Sequence, residues 1–275
     1  MPALLRRGLR PLLVLTLVVG TLAGCWPSVG TNFAEPGPFE VTVRTDANHT
    51  YFYPTDLGAH GRKHPVILWG NGTFLQPIHY EPLLRHFASH GFIVAAANTT
   101  NAGTGVEMLA GLDNLTAFNS QAGNVFQGKV DLTRVATMGH SQGGGGSIAA
   151  GRDPRVDTVI PIEPGGGNVS TLHGPVFYLS GELDNIILPA GVLQKYNAST
   201  GIPAAYGQLA GADHLAPIGS GNGFRGPITA WLRWQLMGDK IAGNQFVGEC
   251  AYCTDARWTT YDTNPLLEAL APAPD

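Results

Sequence analysis

The chain carries little positive charge. Its 275 residues include 16 Lys and Arg against 20 Asp and Glu, and charged residues make up only 13% of the total. Proteins that bind nucleic acids present a basic surface, so this balance predicts no nucleic-acid partner. Beyond the N-terminus the sequence also lacks apolar runs long enough to cross a bilayer, internal repeats and low-complexity segments. These absences leave a single globular domain as the expected organisation.

The strongly apolar segment lies at the N-terminus. Residues 1–24 combine three arginines with a short apolar run and end on Leu-Ala-Gly before Cys25, a pattern typical of a secretory signal. The Leu-Ala-Gly-Cys ending is similar to a bacterial lipobox, which implies cleavage before Cys25 and a lipid on that residue. An uncleaved anchor is the alternative, although the run is short for a membrane span. We expect an exported protein, anchored by lipid to a bacterial membrane, with residues 25–38 as a tether.

Cysteine is scarce, and only Cys250 and Cys253 follow Cys25. They form a Cys-x-x-Cys pair near the C-terminus. A structural zinc needs four ligands, and no second Cys or His pair lies nearby in the sequence, so no metal site is predicted. The pair also lacks the thioredoxin-like context of redox-active cysteines. In an exported protein a local disulfide is the favoured interpretation, although the sequence does not fix that the two cysteines pair with each other.

A serine in a strand–turn–helix context is the most informative feature of the sequence. Residues 139–143 read GHSQG and place a glycine two positions before and two positions after Ser141. Residues 130–138 are typical of a buried strand near its end, and residues 144–150 can begin a helix. A sharp turn of this kind exposes a nucleophilic serine, and its glycines prevent side-chain clashes. We predict that Ser141 is a catalytic nucleophile, with a glycine-rich surface turn as the alternative.

A nucleophilic serine needs a histidine that accepts its proton. After Ser141 the chain contains only His173 and His214. His173 directly precedes a strand-like run, which is the wrong end for a site built from the carboxyl ends of parallel strands. His214 lies in a loop after an apolar run, and we predict that it is the base.

Three carboxylates are candidates for the group that orients this histidine. Asp184 lies in the loop after a predicted strand, Glu182 is closer to the end of that strand, and Asp213 adjoins His214. Neighbouring residues rarely present their side chains to each other, which disfavours Asp213. Asp184 is preferred, and Glu182 stays open as the alternative. A mechanism based on Ser141, Asp184 and His214 needs no cofactor, and none is predicted.

Acyl transfer also needs two donors to the oxyanion of the tetrahedral intermediate. The backbone N–H of Gln142, directly after the nucleophile, is the first predicted donor. The loop after the apolar strand 65–69 supplies the second, for which Thr73 is preferred over Phe74. A plain Asn-Gly turn is the alternative for this loop. Phe74 and Ile186 are candidates to line the acyl pocket.

The pattern of apolar runs predicts an α/β domain over residues 39–275. Predicted strands lie near residues 39–45, 50–53, 65–69, 92–97, 132–138, 157–162, 175–180 and 204–210. Predicted helices lie near residues 79–90, 105–120, 142–150, 190–197 and 226–237. Strands that alternate with helices indicate a mostly parallel, doubly wound sheet of about eight strands flanked by helices.

Several of these motifs together carry a family resemblance. The motifs are residues 72–73 (GT), 88–94 (ASHGFIV), 139–147 (GHSQGGGGS), 184–189 (DNIILP), 213–214 (DH) and 226–232 (GPITAWL). The chain resembles the bacterial cutinase, lipase and polyester (PET) hydrolase branch of the α/β-hydrolases over about residues 38–263, and it is also similar to dienelactone-hydrolase-like esterases. The resemblance implies an α/β-hydrolase fold and a disulfide near the C-terminus, where relatives space the cysteines more widely. The sequence has no long insertion that would form a large lid.

The resemblance implies an ester substrate, but two positions depart from the polyester-degrading relatives. Those relatives usually have an aromatic residue where this chain has Gly165, and commonly Met where it has Gln142. An aromatic ring packs well on a terephthalate-like ring. We therefore expect a monomeric serine carboxylester hydrolase for short and medium acyl esters. Polyester hydrolysis by the same mechanism and a non-catalytic lipoprotein that retains the fold are the alternatives; amidase and thioesterase activities stay open.

Overall fold

The computed structural model describes residues 26–271, which form one mixed sheet covered by helices on both faces. Within those residues the strands are β1 Val41–Thr45, β2 His49–Pro54, β3 His64–Gly70, β4 Ile93–Ala97, β5 Val130–His140, β6 Thr158–Ile162, β7 Val176–Gly181, β8 Ala204–Leu209 and β9 Trp258–Thr263. The helices are α1 Glu81–Ser89, α2 Val106–Ser120, α3 Gln142–Ala150, α4 Pro189–Ala198, α5 Arg225–Met237, α6 Lys240–Gly243 and α7 Pro265–Glu268. The predicted signal 1–24 and the predicted lipid site Cys25 lie outside the described residues.

The strand order explains where a site can form. The sheet runs β1-β2-β4-β3-β5-β6-β7-β8-β9, and its six central strands, β4 to β8 in that order, are parallel. The strands β1, β2 and β9 pair antiparallel at the two margins. The carboxyl ends of all six parallel strands therefore meet at one edge, where loops with functional side chains come together.

The central strands consist of apolar runs because both faces of the sheet are covered. All seven residues of β3 are buried, and successive side chains enter opposite layers. Ile67 and Trp69 pack in the layer that contains Trp231 of α5, whereas Val66 and Leu68 pack in the layer that contains Leu112 of α2. This alternation fixes the register of the strand, because a shift by one residue would exchange the two layers.

The architecture predicted from the sequence is confirmed, with one strand and two short helices, α6 and α7, more than expected. The eight predicted strands and five predicted helices occur with ends within two residues of the predicted ones. The ninth strand, β9, pairs antiparallel with β8 through Tyr261 and Gly207, among other residues. It was missed because only Trp258 of its six residues is buried, so its apolar signal is weak.

Residues 26–38, expected as a tether, instead pack against the domain. Phe33 is 2% exposed and belongs to the core that contains Trp231. The ring of Trp26 lies 5.4 Å from that of His64, and Arg233 donates a hydrogen bond to the carbonyl of Pro27 at 3.1 Å. Apolar burial outweighs the three prolines of this segment in determining its conformation.

Near the C-terminus Cys250 and Cys253 are joined in a disulfide. It closes the turn between α6 and β9, and Tyr252 between the two cysteines is buried against Phe246 and Trp258. The disulfide therefore lies over a packed aromatic cluster. Among the described residues, no helix has the length and apolar character that crossing a membrane requires.

Candidate active site

The residues predicted to react lie together at the carboxyl edge of the parallel strands. Ser141 follows β5, Asp184 lies in the loop after β7, and His214 lies in the loop after β8. Residues separated by up to 73 positions in sequence are thus brought into contact by the strand order. Asp184 and His214 are 3% and 7% exposed, so their interaction is largely shielded from solvent.

Ser141 occupies a strained turn between β5 and α3. Its backbone has φ 55° and ψ −117°, a conformation that costs free energy for a residue with a side chain. The turn is also tight, because a Cβ added at Gly143 would collide with the carbonyl of Gly70 on β3. A Cβ added at Gly139 would lie 2.5 Å from the same carbonyl oxygen. The glycines around Ser141 are therefore required by the close approach of two strands and a helix.

The three side chains form a continuous hydrogen-bonded chain. Ser141 Oγ lies 2.9 Å from His214 Nε2, and His214 Nδ1 lies 2.8 Å from Asp184 Oδ2. We assign the Nδ1–H tautomer to His214, which leaves Nε2 free to accept the hydroxyl proton. Asp184 Oδ1 accepts backbone N–H bonds from Ile186 and Ile187 at 2.8 and 2.9 Å. These two amides fix the orientation of the carboxylate.

The other candidates for the acid and the base have different hydrogen-bond partners. Glu182 accepts a hydrogen bond from the amide of Gly211, and Asp213 accepts one from the amide of Leu215. His173 Nε2 lies 3.0 Å from the carbonyl oxygen of Val156, near the amino end of β6. In the described structure none of these three side chains is hydrogen-bonded to Ser141.

The two segments predicted to donate to an oxyanion, the loop after β3 and the start of α3, lie close together, because a Cβ added at Gly143 would meet the carbonyls of Gly70 and Asn71. Gln142 is the first residue of α3, so its N–H has no carbonyl of a preceding helical turn to bind. Thr73 lies in the turn that the bond from Leu75 N–H to the Gly72 carbonyl closes. The amide of Phe74 donates to Thr100 at 3.3 Å, so Thr73 has the freer amide of the two candidates.

Exposed apolar side chains adjoin the reactive residues along the chain. Phe74 is 84% exposed, Ile186 is 62% exposed, and Leu215, directly after His214, is 60% exposed. Gly165 lies beside the nucleophile, because its N–H donates to the Ser141 carbonyl at 2.9 Å. The loop of Gly165 therefore borders the reaction centre but offers no ring to a substrate.

A second carboxyl group, not predicted from the sequence, lies next to His214. Glu163 directly follows β6 and has no solvent exposure, and its Oε2 lies 3.4 Å from His214 Nδ1 and 3.2 Å from His140 Nε2. Burial, with the nearby Asp184 carboxylate, raises the pKa of Glu163 to about 8, and burial lowers the pKa of His140 to about 4. Its place at the carboxyl end of a parallel strand was the available signal.

Two imidazoles and a carboxyl group in one cluster also occur in metal sites. Here the Nδ1 of His214 is already engaged by Asp184 at 2.8 Å, and His140 Nδ1 lies 2.7 Å from the Tyr80 hydroxyl. We therefore assign His140, Glu163 and His214 to a network of polar contacts among the side chains themselves.

A strained serine between a central parallel strand and a helix, with a carboxylate and a histidine on later loops of the same sheet edge, defines an α/β-hydrolase. The PET hydrolase-like family matches residues 23–262 of the chain. Cutinase 2 of Thermobifida cellulosilytica is 34% identical over 205 residues, which cover 67% of this chain and 74% of that protein. Cutinase cut1 of Thermobifida fusca is also 34% identical, and the match covers 67% of this chain and 61% of that cutinase. Bis(hydroxyethyl) terephthalate hydrolase of Streptomyces coelicolor is 26% identical over 84% of this chain and 82% of its own length.

The chain belongs to the PET hydrolase-like family of α/β-hydrolases. The resemblance inferred from the sequence is thereby confirmed, and the chain is a carboxylic ester hydrolase.

Proposed function

We propose that the protein is a serine carboxylester hydrolase in which Ser141, His214 and Asp184 form the catalytic triad. The observation that carries the proposal is the unbroken chain of contacts, 2.9 Å from Ser141 Oγ to His214 Nε2 and 2.8 Å from His214 Nδ1 to Asp184 Oδ2. This is the arrangement that activates a serine hydroxyl for attack on an acyl carbon.

In the proposed mechanism Ser141 Oγ attacks the ester carbonyl while its proton passes to His214 Nε2. Asp184 holds the imidazole and stabilises its positive charge, and the amides of Gln142 and Thr73 donate to the oxyanion. Collapse of the tetrahedral intermediate breaks the bond to the alkoxy group, which leaves as an alcohol with the proton from His214. Water then attacks the acyl-enzyme with His214 as base, and the acid product and free Ser141 are released.

For the substrate we propose short and medium acyl esters. Phe74 and Ile186 are the proposed apolar contacts for the acyl chain, supported by their exposure beside Thr73 and Asp184. Gly165 next to Ser141 leaves the cleft without an aromatic ring on that side. Polyester hydrolysis is the second candidate, favoured by relatives that are named as cutinases and as a terephthalate-ester hydrolase.

We also propose that the enzyme is an exported monomer held at a bacterial membrane by a lipid on Cys25. The proposal rests on the basic and apolar residues 1–24 and on the Leu-Ala-Gly-Cys ending. Incorporation of labelled palmitate into the protein, absent when Cys25 is replaced by Ser, tests the anchor.

Labelling with a fluorophosphonate tests the proposed triad. We expect the purified protein to be labelled at Ser141, and Ser141→Ala to abolish labelling and lower turnover of a p-nitrophenyl ester by a factor of about a thousand or more. Ser120→Ala is the matched control, because Ser120 is exposed at the end of α2, and it should retain both activities. A Ser141→Ala variant with wild-type turnover would contradict the triad, and a folded wild type with neither activity would favour a non-catalytic lipoprotein.

A further inference from the structure

Two carboxyl groups, not one, approach the Nδ1 atom of His214. Asp184 Oδ2 lies at 2.8 Å and Glu163 Oε2 at 3.4 Å. Glu163 comes from a different strand end, after β6, and its backbone is left-handed with φ 48°. A strained backbone and a fully buried carboxyl group both cost folding free energy. Gly181 makes room for this side chain, because a Cβ there would lie 2.8 Å from Glu163 Oε1.

The carboxyl group of Glu163 also belongs to a chain of polar contacts that runs from His214 to Gly72, in the loop after β3. The amide of Gly72 donates to the Tyr80 hydroxyl oxygen at 3.2 Å, so the Tyr80 O–H is left to donate to His140 Nδ1 at 2.7 Å. The remaining His140 proton then lies on Nε2, 3.2 Å from Glu163 Oε2. The Gly181 amide lies close enough to the Glu163 carboxyl group to lower its pKa, but neither oxygen makes a well-aligned hydrogen bond with a described residue. The carboxyl group is therefore only weakly held by a structural partner.

We propose that Glu163 is a second carboxylate partner of His214, a positioning residue that acts with Asp184 to hold the imidazole and to stabilise its protonated form during acyl transfer. The proposal rests on the proposed function of Ser141 and His214. When His214 accepts the serine proton, its positive charge lies 3.4 Å from Glu163 Oε2, and an ionised carboxylate at that distance in a buried site lowers the free energy of the charged state.

The contribution of Glu163 depends on pH in a definite direction. The titratable groups around it are His140 on β5, Tyr80 behind His140, Asp184 after β7, and Asp213 and His214 after β8. Burial and the two aspartates raise the pKa of Glu163 to about 8, so the group is mostly neutral at neutral pH and becomes a carboxylate above it. The stabilisation of the imidazolium therefore increases as pH rises through about 8.

The pH dependence of kcat and KM for a soluble ester tests the proposal with Glu163→Gln, which keeps the shape of the side chain. We expect kcat of the wild type to rise between pH 7 and 9.5 and then level off. In Glu163→Gln we expect this rise to be absent, with kcat at pH 9 about tenfold lower, equivalent to one pKa unit of differential interaction, and KM little changed. Glu182→Gln is the matched control, because Glu182 contacts the Gly211 amide instead of His214, and it should keep the wild-type profile.

Asp184→Ala gives a second test that does not require Glu163→Gln to fold. With Asp184 removed, Glu163 is the carboxylate left at His214 Nδ1. Because the Asp184 carboxylate helps to raise the pKa of Glu163, the residual kcat of Asp184→Ala should rise at a lower pH than that of the wild type and then reach a plateau. Adding Glu163→Gln should remove the plateau and lower kcat at least tenfold further. Superimposable profiles for wild type and Glu163→Gln, or a residual activity of Asp184→Ala that has no plateau, would overturn the proposal. Fluorophosphonate labelling of the wild type distinguishes failure of this proposal from failure of the triad. If the protein is labelled and the profiles are superimposable, only the role of Glu163 is contradicted. If the protein is not labelled, the triad and the role of Glu163 are both contradicted.

Discussion

At the scale of single residues, the buried carboxyl group of Glu163 affects stability as well as chemistry. Its pKa is raised to about 8 in the folded protein, from 4.5 for an unperturbed group. Between these pH values the folded state keeps a proton that the unfolded state releases, so the free energy of unfolding falls as pH rises. For one group the slope is about 1.4 kcal/mol per pH unit.

Glu163→Gln should therefore change the pH dependence of stability. The variant has no ionisable group to bury, so its free energy of unfolding should exceed that of the wild type by roughly 2–5 kcal/mol at pH 9, and the difference should shrink toward pH 5. Urea unfolding at several pH values measures both curves, with Glu182→Gln as the control at an exposed carboxylate. Parallel curves for wild type and Glu163→Gln would show that Glu163 ionises without a folding penalty.

Ser141 was predicted from the sequence, whereas Glu163 was not, and the difference shows what a sequence reveals about single residues. Ser141 was predictable because the strained turn leaves a local signature of glycines on both sides. Glu163 also follows a parallel strand, but nothing local states that its side chain turns inward toward His214. That direction is set by a left-handed backbone and by the space at Gly181, which is on another strand.

At the scale of elements, the loop after β6 lies beside the nucleophile, because Gly165 N–H donates to the Ser141 carbonyl. The residue at position 165 is a glycine that does not use the left-handed region, in contrast to Gly166 (φ 106°) and Gly167 (φ 90°). A Cβ at position 165 would lie 3.5 Å from the carbonyl carbon of Ser141 and 3.6 Å from Gln142 N, which are ordinary van der Waals distances. The loop can therefore accept a side chain at position 165 without backbone strain.

Gly165→Trp should shift the preference of the enzyme toward aromatic polyesters. A stacked ring contributes about 0.5–1.5 kcal/mol beyond burial, which corresponds to a roughly two- to tenfold gain. The measurement is the release of aromatic acids from PET film relative to turnover of a short p-nitrophenyl ester. Gly165→Ala is the control, since it adds the Cβ without the ring and should leave the ratio unchanged. An unchanged ratio in Gly165→Trp, or a wild type that already degrades PET as fast as it cleaves the short ester, would contradict this role for position 165.

Elements were predictable where they are buried on both faces and less so at the margin of the sheet. The strand β3 has seven buried residues in a row, which is a strong local signal. The strand β9 has one, and its place depends on pairing with β8, about 55 positions earlier in the chain. Similarly, proline content suggested a tether for residues 25–38, but the long-range burial of Phe33 determines how the described part of that segment packs.

At the scale of the whole molecule, several histidines are folded into the interior in neutral form. Burial lowers the pKa of His86 to about 3 and that of His90 and His140 to about 4, from 6.5. Below pH 6.5 these histidines are protonated in the unfolded chain but stay neutral in the folded protein until the pH reaches their lowered pKa values. The free energy of unfolding should therefore fall steadily as pH drops from 6.5 to 4, with each histidine contributing up to about 1.4 kcal/mol per pH unit.

His90→Gln should reduce this acid sensitivity, because a glutamine amide can still donate to the Glu35 carbonyl that His90 contacts at 3.0 Å. We expect the slope of unfolding free energy against pH between 6.5 and 4 to decrease by about one proton. Denaturant unfolding across that range measures it, and His60→Gln, at an exposed histidine, serves as the control. Equal slopes in wild type and His90→Gln would mean that His90 protonates without unfolding.

The packing of Trp26 has a consequence for how the enzyme faces its surroundings. Trp26 lies against His64, the first residue of β3. At the other end of the same strand Gly70 pairs with Gly139, two positions before Ser141. Seven residues of strand separate the two ends by about 20 Å. If Cys25 carries the proposed lipid, the bilayer would lie on the side of the domain where the parallel strands begin, and Ser141 would lie on the opposite side. That arrangement would favour ester substrates that arrive from the medium over the lipids of the membrane that holds the anchor.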